Sequence, residues 1–176
     1  MLGKFKPTWM VESIYDLSPA DLKRHGIKVV LTDLDNTLIA WNNPDGTPEL
    51  KQWLKEMQQA QIPVVVVSNN SHKRIARALA KLELPFIARA LKPLTRGINL
   101  AKKRYHLAAE DVILVGDQLM TDIWAANNAH IRSVLVRPLV TSDAWNTKFN
   151  RMLEGQVKQK LTQQGFEFKW RKSLDD

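Results

Sequence analysis

From Ile27 onward the chain alternates short β-branched runs with stretches in which apolar residues recur every three or four positions. The runs are Ile27–Leu31, Ile62–Val67, Val112–Val115 and Ile131–Val136, with a weaker one at Phe86–Ala88. Short apolar runs of this kind suit strands buried on both faces. Between them, Thr47-Pro48 reads as an N-cap and first-turn proline, followed by Leu50, Trp53, Leu54 and Met57 at helical spacing. Ser71 can cap a second helix with Ile75, Ala78, Leu79 and Leu82 on one face. A third helix is expected to carry Leu94, Ile98, Ala101 and Tyr105, and a fourth to run from Met120 to Asn128. Strand and helix alternating in this order predict right-handed βαβ units. The expected fold is α/β, a three-layer Rossmann-like core with a mainly parallel sheet covered on both faces.

Two segments flank this core. Ser18-Pro19-Ala20-Asp21 opens a short helix, and the stretch before it carries Trp9, Met10, Ile14 and Tyr15. Beyond the core, Trp145, Phe149, Met152, Leu153, Val157 and Leu161 form one stripe of a long helix, with Lys148, Arg151, Lys158 and Lys160 off the stripe. The stripe is expected to pack on the domain, the alternative being a basic amphipathic surface that touches a membrane. The tail Phe166-Glu167-Phe168-Lys169-Trp170-Arg171-Lys172 alternates like an edge strand, yet such a mixture also suits a lipid headgroup region. Nucleic-acid stacking is a weaker option for it. The expected organisation is a single domain over residues 1–176, with an N-terminal appendage (1–26), a core (27–140) and a C-terminal helix and tail (141–176).

Composition narrows the function classes. A chain of 176 residues can bury one good core. It has no cysteine, which excludes disulfides, thiolate metal sites and a cysteine nucleophile. No run approaches the roughly 18 apolar residues of a membrane span, and no apolar segment follows Lys4 and Lys6 as in a secretory leader. The expected location is therefore cytoplasmic, or peripheral at the inner membrane surface. A net charge of +8 favours an anionic partner, whether nucleic acid, phosphorylated substrate or anionic membrane.

The chemistry gathers where parallel strands end, because the loops after such strands share one edge of the sheet. Asp33 and Asp35 follow the first run, Ser68-Asn69-Asn70 the second and Lys92-Pro93 the short Phe86 run. Gly116-Asp117-Gln118 follows Val112–Val115, with Asp122 one turn into the next helix. Each alone is ordinary: an Asp-x-Asp is usually a turn, and Ser-Asn-Asn is a common helix entry. Together they offer carboxylates, a hydroxyl and a lysine to a phosphate and a hard cation. Asp33 and Asp117 are the expected carboxylate ligands of Mg2+, with Asp35 contributing through its backbone carbonyl. Asp33 can attack phosphorus as nucleophile. Asp35 can protonate the leaving oxygen and later deprotonate water. Thr37 can hold Asp35 or bond to the phosphate. Ser68 and Lys92, with Asn69 beside them, are the expected phosphate-binding groups, and Asp122 the anchor of Lys92 or of a metal-bound water.

In this order, Asp33-Leu34-Asp35-Asn36-Thr37, Ser68, Lys92 and Gly116-Asp117 with Asp122 resemble the four motifs of the haloacid dehalogenase (HAD) phosphatases. Thr32–Leu38, Val67–Asn70, Gly116–Asp122 and Lys148-Phe149-Asn150-Arg151 are similar to the blocks of one branch, the YqeG-like class IIIA proteins. The resemblance covers nearly the whole chain. It implies a Rossmann-like HAD core, Mg2+ and a covalent aspartyl-phosphate. Relatives of that branch include phosphatidylglycerophosphate phosphatases, so it also implies a phosphorylated lipid headgroup as substrate. His72 departs from the branch's expected acidic or amide residue, which bears on the pocket rim only.

Spacing adds an expectation. About thirty-five residues separate Asp33 from Ser68 and about two dozen separate Ser68 from Lys92, which strand, helix and short loops nearly consume. No inserted cap domain fits, and only the loop Ala40–Gly46 remains as a small flap. An open site excludes water poorly by itself, so a large substrate or a surface is expected to complete it. Two other readings stay open: the same chemistry on a soluble metabolite, phosphoprotein or nucleic-acid end, and a basic binding or scaffold protein that keeps the fold without turnover.

Overall fold

The computed structural model describes residues 2–40, 42–43, 45–140 and 145–175, the side chains of 145–149 excepted. The expected roles of Trp41 and Pro44 in the flap, and of the Trp145, Lys148 and Phe149 side chains in the last helix, lie outside the described residues.

Six strands form one sheet: β1 (Trp9–Val11), β2 (Val29–Thr32), β3 (Val64–Val67), β4 (Phe86–Ile87), β5 (Val112–Gly116) and β6 (Arg132–Val136). They are ordered β1-β6-β5-β2-β3-β4, and every pairing is parallel. Alternation decides the layers. Val30, Val64, Val66, Ile113 and Val115 point to one face, where Leu50, Trp53 and Met57 of α2 (Pro48–Gln59) and Ile75 of α3 (His72–Ala78) meet them. Val29, Leu31, Val65, Val67, Val112 and Leu114 point to the other, against Ile98 and Ala101 of α4 (Arg96–Arg104) and Ala125 and Ala126 of α5 (Trp124–Asn128). That is the expected three-layer core. The β2–β3 connection carries α2 and the β3–β4 connection carries α3, with no inserted cap among the described residues.

Helix entries follow the predicted chemistry. Ser18 caps α1 (Pro19–Arg24), Thr47 caps α2 and Ser71 caps α3, each hydroxyl accepting a backbone N–H three residues on. α4 starts later than expected, at Arg96, and Leu94 stays exposed, because Leu94 N–H closes a turn on the Leu91 carbonyl after Pro93. The expected fourth helix is split into a π-helical turn over Leu119–Ile123 and α5.

The flanking segments are integral to the fold. Residues of the N-terminal appendage form β1, paired to β6, and put Ile14, Leu17 and Leu22 fully inside the core. The indole N–H of Trp53 donates to the Leu17 carbonyl at 2.9 Å and ties this segment to α2. Isolated β-branched character was too weak at Trp9–Val11 to predict that strand. The last helix, α6 (Trp145–Gln163), buries Leu161 completely and Leu153 and Val157 in part, but Met152 is exposed, so the expected stripe is narrower than its sequence pattern. The tail packs on the domain. Phe166, Phe168 and Trp170 lie half-buried against the cluster of Phe5, Met10 and Leu161, and Arg171 pairs with Val11 beyond the sheet edge. No helix among the described residues is long and apolar enough to cross a membrane.

Candidate active site

The strand order reverses between β2 and β5: from β2 the chain winds outward through β3 and β4, then returns to β5 and β6. Ligand crevices form at such a reversal, outside the carboxyl ends of the strands. Asp33 follows β2 and Asp117 follows β5, and the Asp33 N–H bonds to the Val115 carbonyl at 2.9 Å, so the two loops leave the sheet side by side. Asp122 joins them from the π-helical turn. Carboxylate oxygens of Asp33, Asp117 and Asp122 lie within 4.8 Å of one another. Gly116 makes this possible, since a Cβ there would stand 2.2 Å from the Asp122 Cγ.

Lys92 is the counter-ion. Its ammonium, almost wholly buried, donates to Asp33 Oδ1 at 2.9 Å and to Asp122 Oδ1 at 2.6 Å. Burial alone would pull the Lys92 ammonium down, but Asp122 and Asp33 outweigh it and hold it above the ordinary lysine range. Burial pushes the Asp122 carboxyl up to about 6, against the opposing pull of Lys92. Asp122 also accepts the Gln118 N–H at 3.2 Å. Burial, with Asp122 and Asp33 nearby, raises the Asp117 carboxyl well above the usual range, opposed by a 3.0 Å hydrogen bond from Thr37 Oγ1. Thr37 thus holds Asp117, not Asp35.

The β3 loop supports this group from the side. Asn69 grips the Lys92 backbone from both directions, its Nδ2 donating to the Lys92 carbonyl at 3.0 Å and its Oδ1 accepting the Lys92 N–H at 2.7 Å. It is a positioning residue for Lys92. Ser68 is buried, and its Oγ accepts the Asn70 N–H at 3.2 Å, which leaves its hydroxyl proton available at the end of β3.

Asp35 stands apart from the three-carboxylate cluster. Arg74 takes it as a fork, Nη1 to Oδ2 at 2.8 Å and Nη2 to Oδ1 at 3.2 Å, and Asn70 Nδ2 adds a third bond at 2.8 Å. A bidentate guanidinium fixes the plane as well as the place of a carboxylate. Arg74 and Asn70 had no predicted role. The signal for Arg74 was its position: α3 has no acidic residue in its first turn and carries Lys73 and Arg74 there, against the preference set by the helix dipole. Basic residues at that end call for a carboxylate partner.

If all three carboxylates ionise, the single ammonium leaves two negative charges unmatched, and the raised Asp117 carboxyl registers that crowding. A donor set of hard oxygens with that deficit fits a divalent cation such as Mg2+. Asp122 is committed to Lys92 and Gln118, which leaves Asp33 and Asp117 as the carboxylates that would hold the ion directly.

Comparison with known proteins agrees with this geometry. A family described as haloacid dehalogenase-like hydrolase matches residues 2–130. The chain is 39% identical over 166 residues to the "Probable phosphatase YqeG" of Bacillus subtilis (strain 168), covering 94% of this chain and 96% of that protein. Among solved structures, an uncharacterized protein from Listeria monocytogenes serotype 4b superposes with a TM-score of 0.52 at 15% identity, over 76% of this chain and 99% of that one. A thermostable NPPase from Geobacillus stearothermophilus gives 0.51 at 15% identity, over 69% and 93%. Both speak for the fold alone.

Proposed function

This chain belongs to the haloacid dehalogenase-like hydrolase family, and on that premise we propose that it is a Mg2+-dependent phosphomonoesterase acting through a phosphorylated Asp33, with phosphatidylglycerophosphate as its substrate. The observation that carries the chemistry is the division of the site: Asp33 sits among carboxylates and an ammonium, while Asp35, two residues on, is held outside by Arg74.

The residues divide the reaction between them. A Mg2+ ion held by Asp33 and Asp117 would reduce the repulsion between a carboxylate and a phosphoryl dianion. Asp33 attacks phosphorus with one carboxylate oxygen, and the bond from phosphorus to the leaving oxygen breaks. Asp35 in its acid form gives that oxygen a proton. As the carboxylate, Asp35 then takes a proton from water, whose oxygen attacks phosphorus and releases Asp33. Lys92 and the Ser68 hydroxyl offer donors to the equatorial oxygens, where charge spreads in the transition state. Asn69 and Asp122 keep Lys92 in place for that task.

The lipid assignment draws on the uncapped site, the net charge of +8 and the resemblance to the YqeG-like branch. The packing of Phe166, Phe168 and Trp170 on the domain favours a second reading, a soluble phosphomonoester reached without membrane contact. Phosphate release from vesicles of phosphatidylglycerophosphate, with Mg2+ and with chelator, separates the two. The expected result is Mg2+-dependent release that is faster than from soluble esters. Turnover of soluble esters with none from the vesicles would sink the lipid assignment and leave the phosphatase.

A further inference from the structure

Beside Asp35, between the flap and α3, opens a cleft of about 640 Å³ whose wall carries Asp35, Asp45, Lys73, Arg74, Arg77 and Lys81. We infer that this cleft is the leaving-group subsite and that it selects substrates whose leaving group bears an anionic group of its own, a second phosphate. This inference rests on the phosphatase reading above and adds the residues that choose the substrate.

Position comes first. A general acid must lie within hydrogen-bond reach of the oxygen it protonates, so the leaving group of any ester cleaved at Asp33 passes Asp35. Asp35 forms part of the cleft wall, and the body of the leaving group enters there.

Charge comes second. Four cations face two carboxylates across this space. Arg74 is spent on Asp35, and Lys81 on Asp45 at 2.6 Å, a contact that ties the flap to the turn after α3. Lys73 and Arg77 make no ion pair among the described residues. They stand four residues apart on α3, where two like charges are neighbours and repel. An anion between them relieves that repulsion, and a phosphate oxygen set is the natural acceptor for an arginine and a lysine side by side. A phosphodiester in a lipid headgroup and the second phosphate of a soluble bisphosphate offer the same chemistry.

The test compares three substrates with Mg2+: p-nitrophenyl phosphate, whose leaving group has no second anion; 1,3-propanediol bisphosphate; and dihexanoyl phosphatidylglycerophosphate. The wild-type protein is expected to prefer both doubly charged substrates in kcat/KM. In Lys73→Ala/Arg77→Ala that preference is expected to shrink at least about tenfold, mainly through KM, and rising salt is expected to erode it in the wild type. Preference for the lipid alone assigns the second anion to a headgroup, and preference for both assigns it to phosphate as such. An unchanged preference in the double variant overturns the inference while leaving the phosphatase intact. If the wild type hydrolyses none of the three, the phosphatase reading fails, and an NMR titration with 3-hydroxypropyl phosphate decides the cleft. Binding weakened at least about tenfold in the double variant upholds the subsite; equal binding, or none, overturns it.

Discussion

Substituting Gly116 tests the construction of the site without removing any charged group. The Cβ of Gly116→Ala would fall 2.2 Å from Asp122 Cγ and 2.3 Å from both its Cβ and Oδ2. Carbon atoms rest at about 3.5 Å, so Asp122 must retreat by roughly 1.3 Å. A retreat of that size breaks the 2.6 Å bond to Lys92 and the 3.2 Å bond from Gln118 N–H, in a place where Asp122 has no access to solvent. Breaking a buried ion pair costs about 3–5 kcal/mol. For a chain of this length each kcal/mol lowers Tm by about 2–4 °C, so the expected fall is about 6–20 °C. Lys92, left with Asp33 alone, no longer holds its place, and phosphate release per folded molecule is expected to drop with it. Thermal unfolding and initial rates on the same preparation read both effects. A variant that melts within about 2 °C of the wild type and turns over normally would refute the packing of Asp122 under Gly116 as the support of Lys92.

Two other outcomes follow from the site and its border. Arg74→Ala frees Asp35 from its fork but, with Arg74 half-exposed, is expected to cost under about 1 kcal/mol of stability. The same variant should lower kcat about tenfold or more, as loss of a positioned proton donor does, and a normal kcat would remove Arg74 from the mechanism. Glu154 accepts the Met120 N–H at 2.6 Å, and burial raises its carboxyl above the ordinary glutamate value. The folded state therefore holds this proton more tightly than the unfolded chain, and stability falls as pH rises from the ordinary value through the raised one. Glu154→Gln should lose that part of the decline, so its Tm gains on the wild type across the window; parallel Tm curves would contradict the assignment.

Much of this protein was legible because its core strands are buried on both faces. Runs such as Val64–Val67 have no polar face to confuse with a helix, and their ends located Asp33, Ser68 and Asp117. The parallel topology then implied the convergence with Lys92 that the structure displays. What escaped detection depended on partners distant in sequence. β1 exists because β6 pairs with it, and a three-residue strand gives no periodicity to read. Thr37 turned to Asp117 across 80 positions, and Asn69 to the backbone of Lys92, because hydrogen-bond partners follow loop geometry that residue type does not encode. Arg74 left a faint trace, a cation at the wrong end of a helix, whose meaning needed the location of Asp35.

The proposed chemistry rests on Asp33 as the nucleophile of a metal-assisted phosphatase. The most direct measurement is phosphate release from p-nitrophenyl phosphate by the wild type and by Asp33→Asn, each confirmed folded, in Mg2+ and in chelator. The expected result is turnover by the wild type in Mg2+, its loss in chelator, and a rate in Asp33→Asn lower by at least about a thousandfold, as befits loss of a covalent nucleophile. Wild-type turnover by Asp33→Asn would contradict it.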